Sequence, residues 1–149
     1  MKPLPDILTD PARRPAVLDD FLQVLEAEVA SKSGLTGIAI KGAYSIVKNV
    51  KPGFVRQAFD DMLSDFSSRL DPFYQKSRAA SVPFSDYMSG RAAEAADALL
   101  GITDDRAATA KNMVLKKAYD RLRPTAKKHV EAAIPRVSRM IEKHTANAD

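Results

Sequence analysis

The hydrophobic residues of this chain recur at helical spacing, and no stretch alternates apolar and polar residues as a half-buried strand would. The first apolar stripe, from Leu18 to Val29, predicts an amphipathic helix over 15–31. Similar stripes predict further helices at 35–50, 54–70, 91–100, 103–123 and 124–144. The pattern therefore predicts an all-α protein, a compact helical bundle of five to seven helices.

Prolines, glycines and capping residues set the predicted helix boundaries. Asp71-Pro72 has the form of an N-cap followed by a first-turn proline, which predicts a new segment or a kink. Gly101 is expected to stop one helix, and 103–105 to cap the next. Pro124 is expected to open the last helix, whereas Pro135 falls on its polar side and predicts a bend rather than a break.

The 149 residues are predicted to form a single helical domain, 1–149. Three segments fall outside the predicted helices. They are an extended N-terminal arm at 1–14, a loop at 77–90 and a frayed C-terminus at 145–149. The N-terminus carries prolines and acids where a signal peptide needs an apolar core, which favours a cytoplasmic protein.

A glycine-containing stretch at 33–53, SGLTGIAIKGAYSIVKNVKPG, raises the question of a phosphate-binding loop. Gly37 and Gly42 have the Walker spacing, but Ala43 and Tyr44 replace the lysine and the hydroxyl that such a loop requires. The helical pattern instead predicts close helix packing at Gly37, Gly42 and Ala43. The stretch also supports an alternative function, a protein–protein interaction or homo-oligomerisation module that packs through helix 35–50.

Charge is distributed unevenly along the chain. The net charge is +4, yet 106–144 holds eleven Lys or Arg against three acids, so this segment carries +8 and the remainder −4. This segregation predicts a basic C-terminal helical face that contacts an anionic partner, nucleic acid or an anionic membrane surface, without sequence specificity. Tyr119 is the only aromatic residue of the segment, which gives base stacking little support. The candidate anion-binding residues are Lys116, Lys117, Arg121, Lys128, Arg136, Arg139 and Lys143.

No recognisable catalytic or metal-binding constellation appears in the sequence. The chain has no cysteine, and His129 and His144 would lie about 22 Å apart along one helix, as surface residues too distant to share a metal ion. Asp60, Asp61 and Asp65 are interpreted as a salt-bridged, solvated face, with Arg56 and Arg69 as their partners along the helix. We therefore predict no catalytic residue, no metal and no cofactor, and a protein that is not an enzyme. A carrier of an apolar ligand in the bundle core is a further alternative.

Three stretches resemble a family of small bacterial helical proteins of unknown function. They are SGLTGIAIKGAY at 33–44, VKPGFVRQAF at 50–59 and AKKHVEAAIPR at 126–136. The resemblance covers most of the chain and implies a compact helical bacterial protein. It implies no activity and no binding residues.

Overall fold

A computed structural model of the chain describes residues 2–148. Within that range it contains helices only, and the predicted all-α bundle is confirmed. The seven helices are α1 (Leu4–Leu8), α2 (Arg14–Ser31), α3 (Gly34–Lys48), α4 (Phe54–Ala79), α5 (Phe84–Met88), α6 (Ala92–Ala108) and α7 (Met113–Thr145).

The last helix organises the bundle. α7 is 33 residues long and packs against α1, α2, α3, α5 and α6. Its apolar side enters the main core, where Ile134 and Ile141 are fully buried among side chains of α1, α2, α4 and α5. The other long helix, α4, packs against α1, α2, α3, α5 and α6, so the shorter helices fill the space between α4 and α7.

α7 is continuous, so the prediction that Pro124 opens a separate helix is wrong. Pro124 and Pro135 both lie inside α7 and both are exposed. Each proline removes the hydrogen bond to the carbonyl four residues earlier. Because both prolines are on the solvent side, water can satisfy the freed carbonyls and the helix continues. α7 begins instead at Met113, after the N-cap residue Asn112, whose side chain accepts hydrogen bonds from the backbone N–H groups of Val114 and Leu115 at 3.0 and 3.1 Å.

α6 also runs through its predicted stop. Gly101 lies within the helix, and 103–105 continues it rather than capping a new one, so both boundary predictions are wrong. A glycine in a helix interior costs about 0.5–1 kcal/mol relative to alanine. Burial of the neighbouring Leu100 and Ile102 offsets that cost. The Thr103 hydroxyl donates back to the Leu100 carbonyl within the same helix at 3.1 Å.

The N-terminal arm is not extended, contrary to the prediction for 1–14. Leu4, Ile7 and Leu8 form one side of α1 and are buried in the core. The Leu4 N–H donates to Asp71 Oδ1 at 2.8 Å, which satisfies an otherwise unpaired donor at the start of α1. Asp71 therefore caps α1, and α4 passes through Asp71 and Pro72 without starting a new helix.

The predicted loop at 77–90 is mostly helical. α4 continues to Ala79, and α5 places Phe84 and Met88 in the core, so only the turns at 80–83 and 89–91 remain. The predicted fraying at 145–149 is also wrong at its first residue. Thr145 is the last residue of α7, is buried, and donates its hydroxyl to the Ile141 carbonyl at 2.8 Å. Asp149 lies outside the described residues.

Candidate functional site

On its α2 side, α7 directs basic side chains at acids of the same chain. Arg136 Nη1 lies 2.9 Å from Glu28 Oε1, and Lys143 Nζ lies 3.0 Å from Asp20 Oδ2. His144 Nε2 lies 2.6 Å from the same Asp20 oxygen. Burial acts to raise the pKa of Asp20, but hydrogen bonds from Lys143 and His144 outweigh it, and the pKa is lowered. Arg136 and Lys143, both candidate anion-binding residues, therefore already contact acids.

On its α6 side, α7 makes a second set of ion pairs. Asp104 accepts hydrogen bonds from Arg123 Nε at 2.7 Å and from the Tyr119 hydroxyl. The bonds from Arg123 and then Tyr119 lower the pKa of Asp104, and burial together with Asp104 raises the pKa of Tyr119 to about 12. Lys127 Nζ pairs with Asp97 Oδ2 at 3.1 Å. Tyr119 is thus half-buried, with its hydroxyl engaged by Asp104.

Four of the seven candidate anion-binding residues remain together on the solvent side of α7. They are exposed, and none pairs with an acid among residues 2–148. At about 100° per residue they fall within an arc of about 40°, along about 33 Å of helix. We call them the basic stripe: Lys117, Arg121, Lys128 and Arg139.

The acids of α7 border the basic stripe on one side. Asp120 and Glu131 lie three residues after Lys117 and Lys128, and seven and four residues from Lys127, so they are on the edge of the stripe toward α6. Glu142 accepts the N–H of Ser85 at the start of α5. The opposite flank of the stripe, toward α3, carries no acid of α7.

α3 has an apolar face on each side. Its inner face packs on the bundle through Ile40 and Ala43. On the other side Leu35 is 87% exposed, Ile38 69% and Ile46 39%. Ala39 and Gly42 are exposed on the same side. We call this the outer face of α3: Leu35, Ile38, Ala39, Gly42 and Ile46.

α3 packs on α7, and two contacts indicate that it runs antiparallel along the first half of α7. Lys32, just before α3, acts electrostatically on His129, next to Lys128. At the other end of α3, Val47 shares a groove with Leu115, near the start of α7. Because the outer face and the basic stripe are the exposed sides of two packed helices, we infer that apolar and cationic side chains lie next to each other on the surface.

The structure separates the three residues predicted for close helix packing. Gly37 is buried, and a Cβ there would stand 2.7 Å from the carbonyl carbon of Lys32. The close approach is therefore to the preceding turn of the chain and not to another helix. Ala43 is buried on the inner face. Gly42 is exposed, with nothing within 4 Å of a Cβ, so the expected close approach at Gly42 is wrong within this chain.

A groove of about 560 Å³ lies between the end of α3, the start of α4, the end of α6 and the start of α7. Its lining includes the apolar side chains of Val47, Phe54, Met62, Leu115 and Leu122. Lysine and arginine outnumber acids around it: the charged lining residues are Lys51, Asp61, Arg106, Lys111 and Lys116. Lys116, the remaining candidate anion-binding residue, thus lines the groove rather than joining the basic stripe.

Both histidines were predicted to be surface residues, and the structure shows that this prediction is wrong. The His144 side chain is 9% exposed and bonded to Asp20, and His129 is half-buried. His129 Nε2 has no hydrogen-bond partner among residues 2–148. Burial lowers the pKa of His129, Lys32 and Lys128 lower it further, and Glu28 opposes them. Among residues 2–148, no group of three His, Asp or Glu side chains could hold a metal ion.

The predicted ion pairs of α4 run between helices instead of along one. Arg56 pairs with Asp19, and Asp60 pairs with Arg14 at 2.5 Å, so both bonds join α4 to α2. The outer face of α3 is the feature that sequence reasoning missed. Its signal was present, because Leu35, Ile38, Gly42 and Ile46 follow helical spacing on the side opposite Ile40.

The chain belongs to the DUF6918 family, a family of unknown function, whose model matches residues 4–145. Comparisons with curated proteins and with solved structures give no match. Among residues 2–148, no helix combines the length and the apolar character needed to cross a membrane.

Proposed function

We propose that the protein is a non-enzymatic, cytoplasmic binding module whose basic stripe contacts an extended anionic partner without sequence specificity. The observation that carries the proposal is the alignment of four exposed cations on one side of α7. None of them pairs with an acid of residues 2–148, whereas Arg123, Lys127, Arg136 and Lys143 on the same helix all do.

The stripe recognises charge rather than sequence. Lysine and arginine contacts to phosphate release counterions, so affinity falls as salt rises. For duplex DNA, four such contacts give a slope of about −3.6 in log K against log salt concentration. Reading individual bases requires side chains aimed at base edges or stacked on them. The only aromatic residue in the basic segment, Tyr119, is instead engaged with Asp104.

A matched pair of variants tests the proposal. The stripe variant changes Lys117, Arg121, Lys128 and Arg139 to glutamine. The control changes Arg123, Lys127, Arg136 and Lys143 to glutamine, which removes the same number of lysines and arginines from the same helix. Binding is measured to heparin, duplex DNA and anionic vesicles across a salt series.

The stripe variant should lose binding and keep its melting temperature, because its side chains make no ion pair in the described structure. The control should melt at a lower temperature and retain binding below that temperature. Equal loss of binding in both variants would show that only net charge matters. Absence of binding by the wild type at low salt would overturn the proposal.

The groove favours a second candidate, carriage of a small apolar ligand with an anionic group. Its lining combines apolar side chains with an excess of lysine and arginine, as a fatty acid requires. Laurate should then raise the melting temperature of the wild type and raise it less in Lys111→Gln/Lys116→Gln. An unchanged melting temperature at saturating laurate would exclude this candidate.

A further inference from the structure

We propose that the anionic partner is the surface of a lipid membrane, with the outer face of α3 entering the boundary between headgroups and acyl chains. This inference rests on the proposed function, because Lys117, Arg121 and Lys128 of the basic stripe supply the contacts to anionic headgroups. It adds a role for a surface that the bundle itself leaves uncovered.

The most exposed apolar side chains lie at one end of α3. Leu35 and Ile38 are the most exposed large hydrophobic side chains in residues 2–148. Contiguous exposed apolar surface on a soluble protein marks an interaction site. Met113 and Val114, both 59% exposed, add apolar surface at the start of α7. Exposed apolar side chains thus lie on the outer face of α3 and at the start of α7.

The charges around this surface fit an anionic lipid. α3 contains two lysines and no acid. Lys41 lies on one flank of its outer face, and the basic stripe lies on the other. Asp120 and Glu131 of α7 adjoin the stripe on its α6 edge. An apolar helix face bordered by lysine and arginine is the pattern of helices that lie in a membrane interface.

Nucleic acid and a second copy of the chain fit this surface less well. Nucleic acid presents phosphates to the basic stripe but offers little to exposed leucine and isoleucine side chains. Two copies packed through α3 about a twofold axis would bring their basic stripes close together. The like charges would then repel, which opposes that assembly.

A single tryptophan makes the membrane contact measurable, because the chain has none. Leu35→Trp places the reporter on the outer face of α3. Val82→Trp places it on an exposed residue of the turn before α5, which packs against the opposite end of α7. Emission is recorded with phosphatidylserine-containing vesicles, pure phosphatidylcholine vesicles, duplex DNA and protein alone over a concentration series.

Only Leu35→Trp with phosphatidylserine vesicles should show a blue shift, since only there does the indole leave water. In a separate sedimentation assay, Leu35→Gln/Ile38→Gln should bind these vesicles at least about tenfold more weakly than wild type. The same double variant should bind heparin unchanged, because the basic stripe is intact.

The failures of the two proposals are distinguishable. Vesicle binding without a blue shift of the tryptophan at position 35 would mean that charge alone drives binding. That result would overturn the membrane inference and would agree with binding through the basic stripe. Binding to duplex DNA without binding to vesicles would also overturn the membrane inference and leave the proposed role of the basic stripe intact. A shift that grows with protein concentration alone assigns the outer face to a second copy and overturns the membrane inference. No binding to any polyanion at low salt overturns both proposals.

Discussion

Two regions of α7 carry the same types of residue and use them in opposite ways. In the second half of the helix, Arg136, Lys143 and His144 meet Asp20 and Glu28, and this contact is the α2–α7 interface. Along the first half, Lys117, Arg121 and Lys128 of the basic stripe and the outer face of α3 leave cations and apolar side chains in solvent. We call that combination the α3–α7 surface.

The difference lies in what the neighbouring helix supplies. α2 contributes acids where α7 contributes cations, so the α2–α7 interface is complete within one chain. α3 contributes no acid and turns leucine and isoleucine outward. A helix whose cations pair with acids on its α2 and α6 sides, but stay unpaired on its solvent side, has a surface suited to a partner.

The largest contrast is expected between two isoleucines. Ile141 is fully buried on α7, and Ile38 is 69% exposed on α3. Ile141→Ala should lower the free energy of unfolding by about 2–5 kcal/mol, because it leaves a cavity in the core. Ile38→Ala should change it by less than about 0.5 kcal/mol. Urea denaturation of the two variants measures both. A large loss for Ile38→Ala would mean that the outer face is already packed against another copy.

The next contrast concerns charge. Asp20→Asn should lower the free energy of unfolding by about 1.5–3 kcal/mol, because a carboxylate bonded to Lys143 and His144 is replaced by a neutral amide. Lys128→Gln in the basic stripe should have little effect. Thermal melts at neutral pH compare the two variants.

The pH dependence sharpens this prediction. The pKa of Asp20 is lowered in the folded state from its ordinary value of 3.8. Its contribution is therefore full above the unfolded-state pKa and is lost as pH falls through the folded-state pKa. The stability gap between wild type and Asp20→Asn should close in acid, as Asp20 takes up its proton. A gap that persists below the folded-state pKa would contradict the ion-pair explanation.

Two glycines of α3 give a third contrast. A Cβ at Gly37 would stand 2.7 and 2.8 Å from the carbonyl carbon and oxygen of Lys32, and backbone atoms cannot easily move. Gly37→Ala should therefore destabilise by about 1–3 kcal/mol. Gly42 meets open space, so Gly42→Ala should stabilise by about 0.5–1 kcal/mol through helix propensity. Equal effects in denaturant titrations would show that the two glycines do not face opposite sides of α3.

Much of the fold could be predicted from periodicity, since the stripes of α2, α3 and α4 are long and regular. The five-residue α1 could not, because its start depends on Asp71, far along the chain, and on burial in the core. The breaks expected at Gly101 and Pro124 were also wrong. The free-energy cost of a glycine or proline within a helix is small compared with the stabilisation from packing α6 and α7 on the bundle.

The candidate site was predicted only in part, for a related reason. A helical wheel groups Arg136 with Arg139 and Lys143, but it cannot show that α2 covers one side of that group with Asp20 and Glu28. Solvent exposure depends on the neighbouring helix. The packing of the helices therefore decides which cations belong to the basic stripe.

The smallest expected effect involves His129, at the junction between the two regions of α7. Its half-buried ring lies near Lys32 and Lys128, which together with burial lower its pKa below the ordinary value of 6.5, against the opposing effect of Glu28. Between the folded and unfolded pKa values the unfolded chain binds more protons, so stability falls as pH drops below about 6.5. His129→Gln should flatten the dependence of melting temperature on pH between neutral and mildly acidic conditions. His144 is unchanged in this variant, so any difference between the pH profiles of wild type and His129→Gln is due to His129. Identical slopes would mean that His129 takes up its proton in the folded chain as readily as in the unfolded one.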